Sequence, residues 1–277
     1  MNDNKTLHYL KDVLENMPTA WLKLTTHRLD IYDEGLAKTQ FLDQFENLFR
    51  DSNSKETSLS ELPTAFDYIR LGHPLSCVLE WVIAASNKLN PNHVISFSSK
   101  TMPALAILRK NLLENRNTQI IYTGALPGSF DAEVLRKIYG YKFELKRVAN
   151  TEDVAEFNGS TIFISQQDDI CAFDLNKNID FFINIHPNLG SILLVNGGQN
   201  ESYISEIQHV RRRETIAMTP ANSLAVLRSL TELSSLGNMH SRSGANKTSV
   251  RASLKEITGA NTTALVASSG LSIQYAI

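Results

Sequence analysis

Few residues of this chain stand at spacings that name a reaction. Ser98-Ser99-Lys100 lies between an apolar run and a helical stretch, a place for a nucleophile or an anion contact. Phe97 stands three residues before Lys100, so the Ser-x-x-Lys arrangement of acyl-transfer sites is absent. The histidines, His8, His27, His73, His93, His186, His209 and His240, never fall at the short spacing of a zinc site, and no Cys-x-x-Cys occurs. No metal site is expected. Arg211-Arg212-Arg213 could clamp a phosphate or carboxylate, although such a run on a polar helix is more often a solvated face. Gly124-Ala-Leu-Pro-Gly128 joins a strand to a helix, where free backbone N–H groups can hold an anion. It matches no phosphate-loop spacing, and a plain turn is its commoner use. Gly197-Gly198 follows a buried strand at its expected carboxyl end, where open α/β sheets place ligands; a glycine pair is also a common way to leave a strand.

The elements that would position these residues alternate. Helical spacing marks Thr6–Glu15 and Thr39–Phe49, with DSNSKETSLSELP read as a loop after them. LSCVLEWVIAASNKL follows as an amphipathic helix with Leu75, Val78, Leu79, Val82 and Ile83 on one face. HVISFS and TQIIYT read as strands, separated by the helix PALAILRKNLLE with Pro103 in its first turn. FDAEVLRKIYG is a helix closed by Gly140, and KFELKRV, STIFIS and SILLVN are further strands. ESYISEIQHVRRRE, NSLAVLRSLTEL and NKTSVRASLKEI have helical period, and TALVASS reads as a last strand. This order predicts an α/β fold, a mainly parallel sheet with helices on both faces. The expected divisions are a helical arm over 1–62, an α/β body over 63–200 and a helical tail over 201–277.

Composition limits the classes. The chain has 277 residues, 42% hydrophobic and 20% charged, enough to bury a sizeable core in one or two domains. A net charge of −2 gives no general pull toward nucleic acid or acidic membranes. Cys77 and Cys171 are too few for a disulfide framework and suggest a reducing compartment. The N-terminus has no apolar core of signal-peptide type, and no apolar run approaches the ~18 residues of a membrane span. A cytoplasmic protein is expected.

One stretch is more specific. FDYIRLGHPLSCVLEWVIA, Phe66 to Ala84, resembles the Tyr-x-Arg-x-Gly-x-Pro segment and following helix of the pyridoxal-phosphate enzymes of cysteine and methionine metabolism. These are the cystathionine γ-synthase and methionine γ-lyase relatives. Tyr68, Arg70, Gly72, Pro74, Leu79 and Glu80 stand in register. VISFSSKTMPALAILRKNL resembles the family's strand, Ser-Ser-Gly-Met turn and helix, and Ser205 to Leu233 resembles a later stretch entering a Leu-Leu-Arg-x-Leu helix. The resemblance implies the fold-type I scaffold, oligomeric assembly, and cofactor contacts from Tyr68, Arg70 and Ser99.

The same resemblance implies losses. The family's chemistry needs a lysine in Schiff-base linkage and an acid paired with the pyridine nitrogen. SILLVN matches the acid-bearing strand, and Asn196 holds the acid's place. The lysine-bearing stretch is missing, since no lysine occurs between Lys177 and Lys247. Lys100 replaces the glycine of the Ser-Ser-Gly-Met turn, Leu126-Pro127-Gly128 occupies the place of the stacking aromatic and its glycine pair, and Ala267 that of the substrate-binding arginine. The Tyr-x-Arg pair, which in the family serves a neighbouring subunit's cofactor, is retained.

The expectation is a shortened, non-catalytic relative that acts through protein association, with covalent pyridoxal phosphate binding lost. Tyr68 and Arg70 either support a lysine-bearing partner's site or do local structural work. Two alternatives stand beside it: a lyase or γ-synthase for sulfur amino acids that uses Lys100, and a small-molecule binder near Gly124 and Gly197 unrelated to the cofactor.

Overall fold

The computed structural model describes residues 3–23, 34–63, 70–232, 243–260, 264–266 and 274. Its centre is a six-stranded sheet of β1 (Val94–Phe97), β2 (Thr118–Tyr122), β3 (Glu144–Arg147), β4 (Ser160–Gln166), β5 (Phe181–His186) and β6 (Gly190–Val195). The spatial order is β1-β6-β5-β4-β2-β3. β5, β4, β2 and β3 run parallel to one another, while β6 is antiparallel to both of its neighbours, β1 and β5. The α/β expectation therefore holds, with one reversed strand.

Nine helices flank or precede the sheet among the described residues: α1 (Asp3–Asn16), α2 (Glu34–Arg50), α3 (Glu56–Ser60), α4 (Pro74–Ser86), α5 (Met102–Leu113), α6 (Ala132–Lys137), α7 (Ser202–Glu214), α8 (Pro220–Leu230) and α9 (Ser243–Thr258). Their starts follow from local chemistry. Pro74, Pro103 and Pro220 sit in first turns, where the missing N–H is no loss. Asp131 and Thr219 accept N–H bonds from Val134 and Asn222 as N-caps.

Alternation along the strands divides the core. Ile95, Phe97, Ile120, Ile162, Ile183, Leu193 and Val195 face one side, with α5 and α7 residues such as Ile107 and Ile207. Val94 and Ile192 face the other, where α4 and α8 pack together with α1 and α2. Tyr9, Phe45 and Phe49 form edge-on ring contacts that end on Trp81 of α4. These contacts join the first fifty residues to the main apolar cluster.

Three expectations need correction, and one strand went unread. The loop read over DSNSKETSLSELP contains α3. Helix α4 is not amphipathic: every residue from Leu75 to Ala84 is buried, Ser76 and Glu80 included. FFINIH, unread as a strand, is β5, a central strand buried along its length. Its signal was present in two phenylalanines and two isoleucines. Finally, Ala264–Val266 form no strand, and the rest of TALVASS, with Ala267, lies outside the described residues.

Candidate functional site

Parallel strands β1 to β5 deliver the loops after them to one edge of the sheet. Ser98, Ser99 and Lys100 leave β1 there, Gly124 to Gly128 follow β2, Asp168 follows β4, and His186 ends β5. Ser99 Oγ accepts the backbone N–H groups of Met102, at 3.1 Å, and Thr101, at 3.3 Å, opening α5. Ser191 Oγ donates to the Ser99 carbonyl at 2.5 Å, tying the β1 turn to the start of β6. Ser98 is tied on the other side, its hydroxyl donating to Ala217 O at 2.7 Å.

His186 is buried at 4% exposure, and its Nδ1 accepts the Asn188 N–H at 3.1 Å. That bond leaves Nε2 to carry the proton of the neutral ring. Burial lowers the affinity of His186 for a second proton, and Lys100 adds to that effect against the opposing pull of Asp168. Lys100, Asp168 and His186 are thus electrostatic neighbours at the carboxyl edge. The hairpin from β5 to β6 needs only Pro187-Asn188-Leu189. Gly190 follows at φ 128°, and a Cβ there would stand 2.1 Å from the Phe97 carbonyl oxygen, so glycine is what lets β6 enter beside β1.

The reversed direction of β6 corrects the reading of its far end. Asn196 and Gly197-Gly198 do not lie at the carboxyl edge with Gly124; they lie at the opposite edge, beside the amino end of β5, where Phe181 pairs with Val195. Five steps of strand separate the two ends of β6, about 17 Å at roughly 3.4 Å per residue. Asn196 there is a brace. Its Nδ2 donates to Ile179 O at 2.7 Å and Asn176 O at 3.2 Å, and its carbonyl accepts from Asn200 at 2.6 Å. Asp180 completes the knot, accepting from Asn200 Nδ2 and from Thr161 N–H, each at 2.8 Å.

Arg211 is the second correction. It is fully buried, not part of a solvated face. Nη1 donates to Glu80 Oε1 at 2.8 Å and to Ser96 O at 3.0 Å. Lys38, also fully buried, donates to Glu80 Oε2 at 2.6 Å. Burial by itself would raise the Glu80 pKa, but Lys38 and Arg211 outweigh it and hold the carboxylate ionised, down to about 2.

Of the residues expected to contact a cofactor, Tyr68 lies outside the described residues. Arg70 is half-buried, with Nη1 donating to the Arg213 carbonyl at 3.3 Å in the last turn of α7. Its own carbonyl accepts from Ala217 N–H at 2.8 Å. Burial first, and then Arg212, lowers its pKa from the usual arginine range. Ser99 is at the carboxyl edge, some strand's length from Asn196.

Ser99 and Asn196 are not brought together around one pyridoxal phosphate. The turn matching the phosphate contact and the residue matching the pyridine partner sit at opposite edges of the sheet, and both amide N–H groups of Asn196 are aimed at backbone carbonyls. No group of three or more His, Cys, Asp or Glu converges as a metal site among the described residues. Nor is any helix among them long and apolar enough to cross a membrane.

No protein-family model matches the chain, and no curated protein does. Among solved structures, MetB from Corynebacterium glutamicum is similar at 12% identity and a TM-score of 0.42, over 92% of this chain and 70% of that one. An O-acetylhomoserine (thiol)-lyase, MetY, from Campylobacter jejuni gives 14% and 0.41, over 81% and 70%. Cystathionine γ-lyase from Lactobacillus plantarum, complexed with L-serine, gives 9% and 0.41, over 81% and 64%. Similarity at this level places the chain in no family.

Proposed function

We propose that this chain is a non-catalytic protein that acts through association, with sequence blocks resembling the pyridoxal-phosphate enzymes of sulfur amino acid metabolism. The observation that carries the reading is the separation of Ser99 from Asn196 across the full length of β6. One small ring cannot be gripped at both positions. The absence of lysine between Lys177 and Lys247 supports the same reading. For Arg70, the bond to the Arg213 carbonyl supports a local role at the end of α7, where a cation meets the negative end of the helix dipole.

Sedimentation of the purified protein tests the association half. A mass that is a multiple of the chain's own, or that becomes so with a lysine-bearing subunit of a sulfur amino acid enzyme, is the expected result. A monomer at micromolar concentration that stays one in that mixture contradicts it.

A second reading has a specific observation in its favour. His186 stands at the carboxyl end of β5 with Nδ1 taken by the Asn188 N–H and Lys100 as an electrostatic neighbour, which supports a small anion held there without a covalent bond. Thermal stabilisation by a small carboxylate, abolished in His186→Ala but not by loss of Arg70, is the result that would favour it.

A further inference from the structure

The two edge strands of the sheet are finished differently. The outer side of β1 is closed by buried charges from Glu80, Arg211 and Lys38, which bond its backbone. At the other edge, β3 pairs with β2 alone, and Glu144, Lys146 and Arg147 are exposed. The Val148 N–H donates to Tyr122 O at 3.0 Å. Backbone groups alternate in direction along a strand of a parallel ladder. Those of Lys146 and Glu144 therefore also face β2, and those of Leu145 and Arg147 face outward. The outward group before them, the Phe143 carbonyl, accepts from Arg136 Nη2 at 3.0 Å. Among the described residues, no bond reaches the outward N–H and C=O of Leu145 or Arg147.

The side chains of β3 divide by face. Leu145 packs with Phe143 on the side of α5 and α7, while Glu144 and Lys146 share the other side with Val148. Neither Glu144 nor Lys146 makes an ion pair within the chain among the described residues. Helix α6, held to the entry of β3 by the Arg136 bond, presents Val134 and Ile138 to solvent.

We propose that β3 is the seam of a twofold dimer, pairing antiparallel with β3 of a second copy of this chain so that two six-stranded sheets become one. The proposal rests on the reading of the chain as one that acts through association, and it names the surface. In an antiparallel pair, residues whose backbone groups face the partner must oppose one another. Leu145 can therefore stand opposite Leu145 or Arg147 of the second copy, but not opposite Glu144 or Lys146. With Leu145 on the twofold axis, it exchanges N–H and C=O bonds with its own copy, and Glu144 opposes Lys146 on both sides of the axis. The next allowed register in one direction sets Lys146 against Lys146, and in the other Glu144 against Glu144. Charges on an edge strand ordinarily prevent pairing. This pattern opposes the neighbouring registers and favours one, and symmetry guarantees that a second copy carries the complement.

Charge exchange at these two exposed positions tests the seam, read by sedimentation of the full chain over a concentration series. The wild-type protein is expected to form a dimer. Glu144→Lys alone and Lys146→Glu alone each set like charges opposite one another on both sides of the axis, and each is expected to weaken dimerisation about tenfold. The double exchange, Glu144→Lys with Lys146→Glu, restores both pairs in the opposite sense and is expected to return the wild-type affinity. A dimer that the single exchanges leave unchanged, or single losses that the double exchange does not repair, overturns the seam and leaves the association reading standing. A wild-type chain that is monomeric by itself but gains mass with a lysine-bearing subunit does the same. A chain that stays monomeric in both experiments overturns both.

Discussion

Glu80 Oε1 accepts both the backbone N–H and the hydroxyl of Ser96, each at 2.8 Å. Strand β1 is an edge strand by sheet order, yet all four of its residues are buried. Its outward backbone groups are met by charges where a further strand would otherwise pair. Glu80 takes the Ser96 N–H, Arg211 donates to the Ser96 carbonyl, and Lys38 donates to the Val94 carbonyl at 3.2 Å. The three side chains come from α2, α4 and α7, so one ionic cluster fastens three helices to one strand edge.

That arrangement predicts an unequal response to neutralisation. Glu80→Gln leaves two buried cations without their counter-charge, and we predict a loss of about 3–5 kcal/mol in urea unfolding. Lys38→Met removes one cation and keeps the Glu80–Arg211 pair, so its loss should be clearly smaller. Equal losses, or a harmless Glu80→Gln, would show that the cluster does not hold the β1 edge.

His73 makes the fold acid-sensitive. Its Nε2 meets Met218 O at 2.7 Å and its Nδ1 accepts the Ser76 N–H at 3.2 Å, so the neutral ring is fully used as the cap of α4. Burial, partly offset by the Met218 bond and Glu80, lowers its pKa to about 4. The unfolded ring takes a proton near 6.5 and the folded one only near 4, so this contribution is complete above pH 6.5 and lost as pH falls through 4. The stake is about 3 kcal/mol. Glu80 adds a second loss at lower pH, between its unfolded pKa near 4.5 and about 2. Thermal melts from pH 7 to 4 should show Tm falling through this window, and a flatter profile for His73→Asn. Equal slopes in the two proteins would remove His73 as the cause.

Arg70→Ala separates the two roles of that residue. A local cap at the end of α7 predicts a loss of under about 1 kcal/mol, a Tm decrease of about 2–4 °C, and unchanged mass in solution. Unchanged Tm with a reduced mass would instead make Arg70 an interface residue.

Much of the fold was legible because apolar periodicity fixes element type: the helices α5, α7 and α8 and the strands β1, β2, β4 and β6 all follow from it. Strand direction was not legible. SILLVN reads identically in either sense, and only the three-residue turn Pro187-Asn188-Leu189, visible once FFINIH is recognised as a strand, reverses it. That single reversal moves Asn196 and Gly197 away from Ser99 and Gly124. Arg211 escaped for a related reason. Its neighbours Arg212 and Arg213 are more accessible, and a run of three identical charges does not reveal which one points inward.

The non-catalytic role proposed for this chain requires that none of its amines hold an aldehyde cofactor. The direct measurement is borohydride reduction of the protein mixed with pyridoxal phosphate, followed by peptide mass mapping. The account predicts no stoichiometric adduct on any lysine, Lys100 included. A single lysine labelled to completion, with the matching absorbance band before reduction, would contradict it.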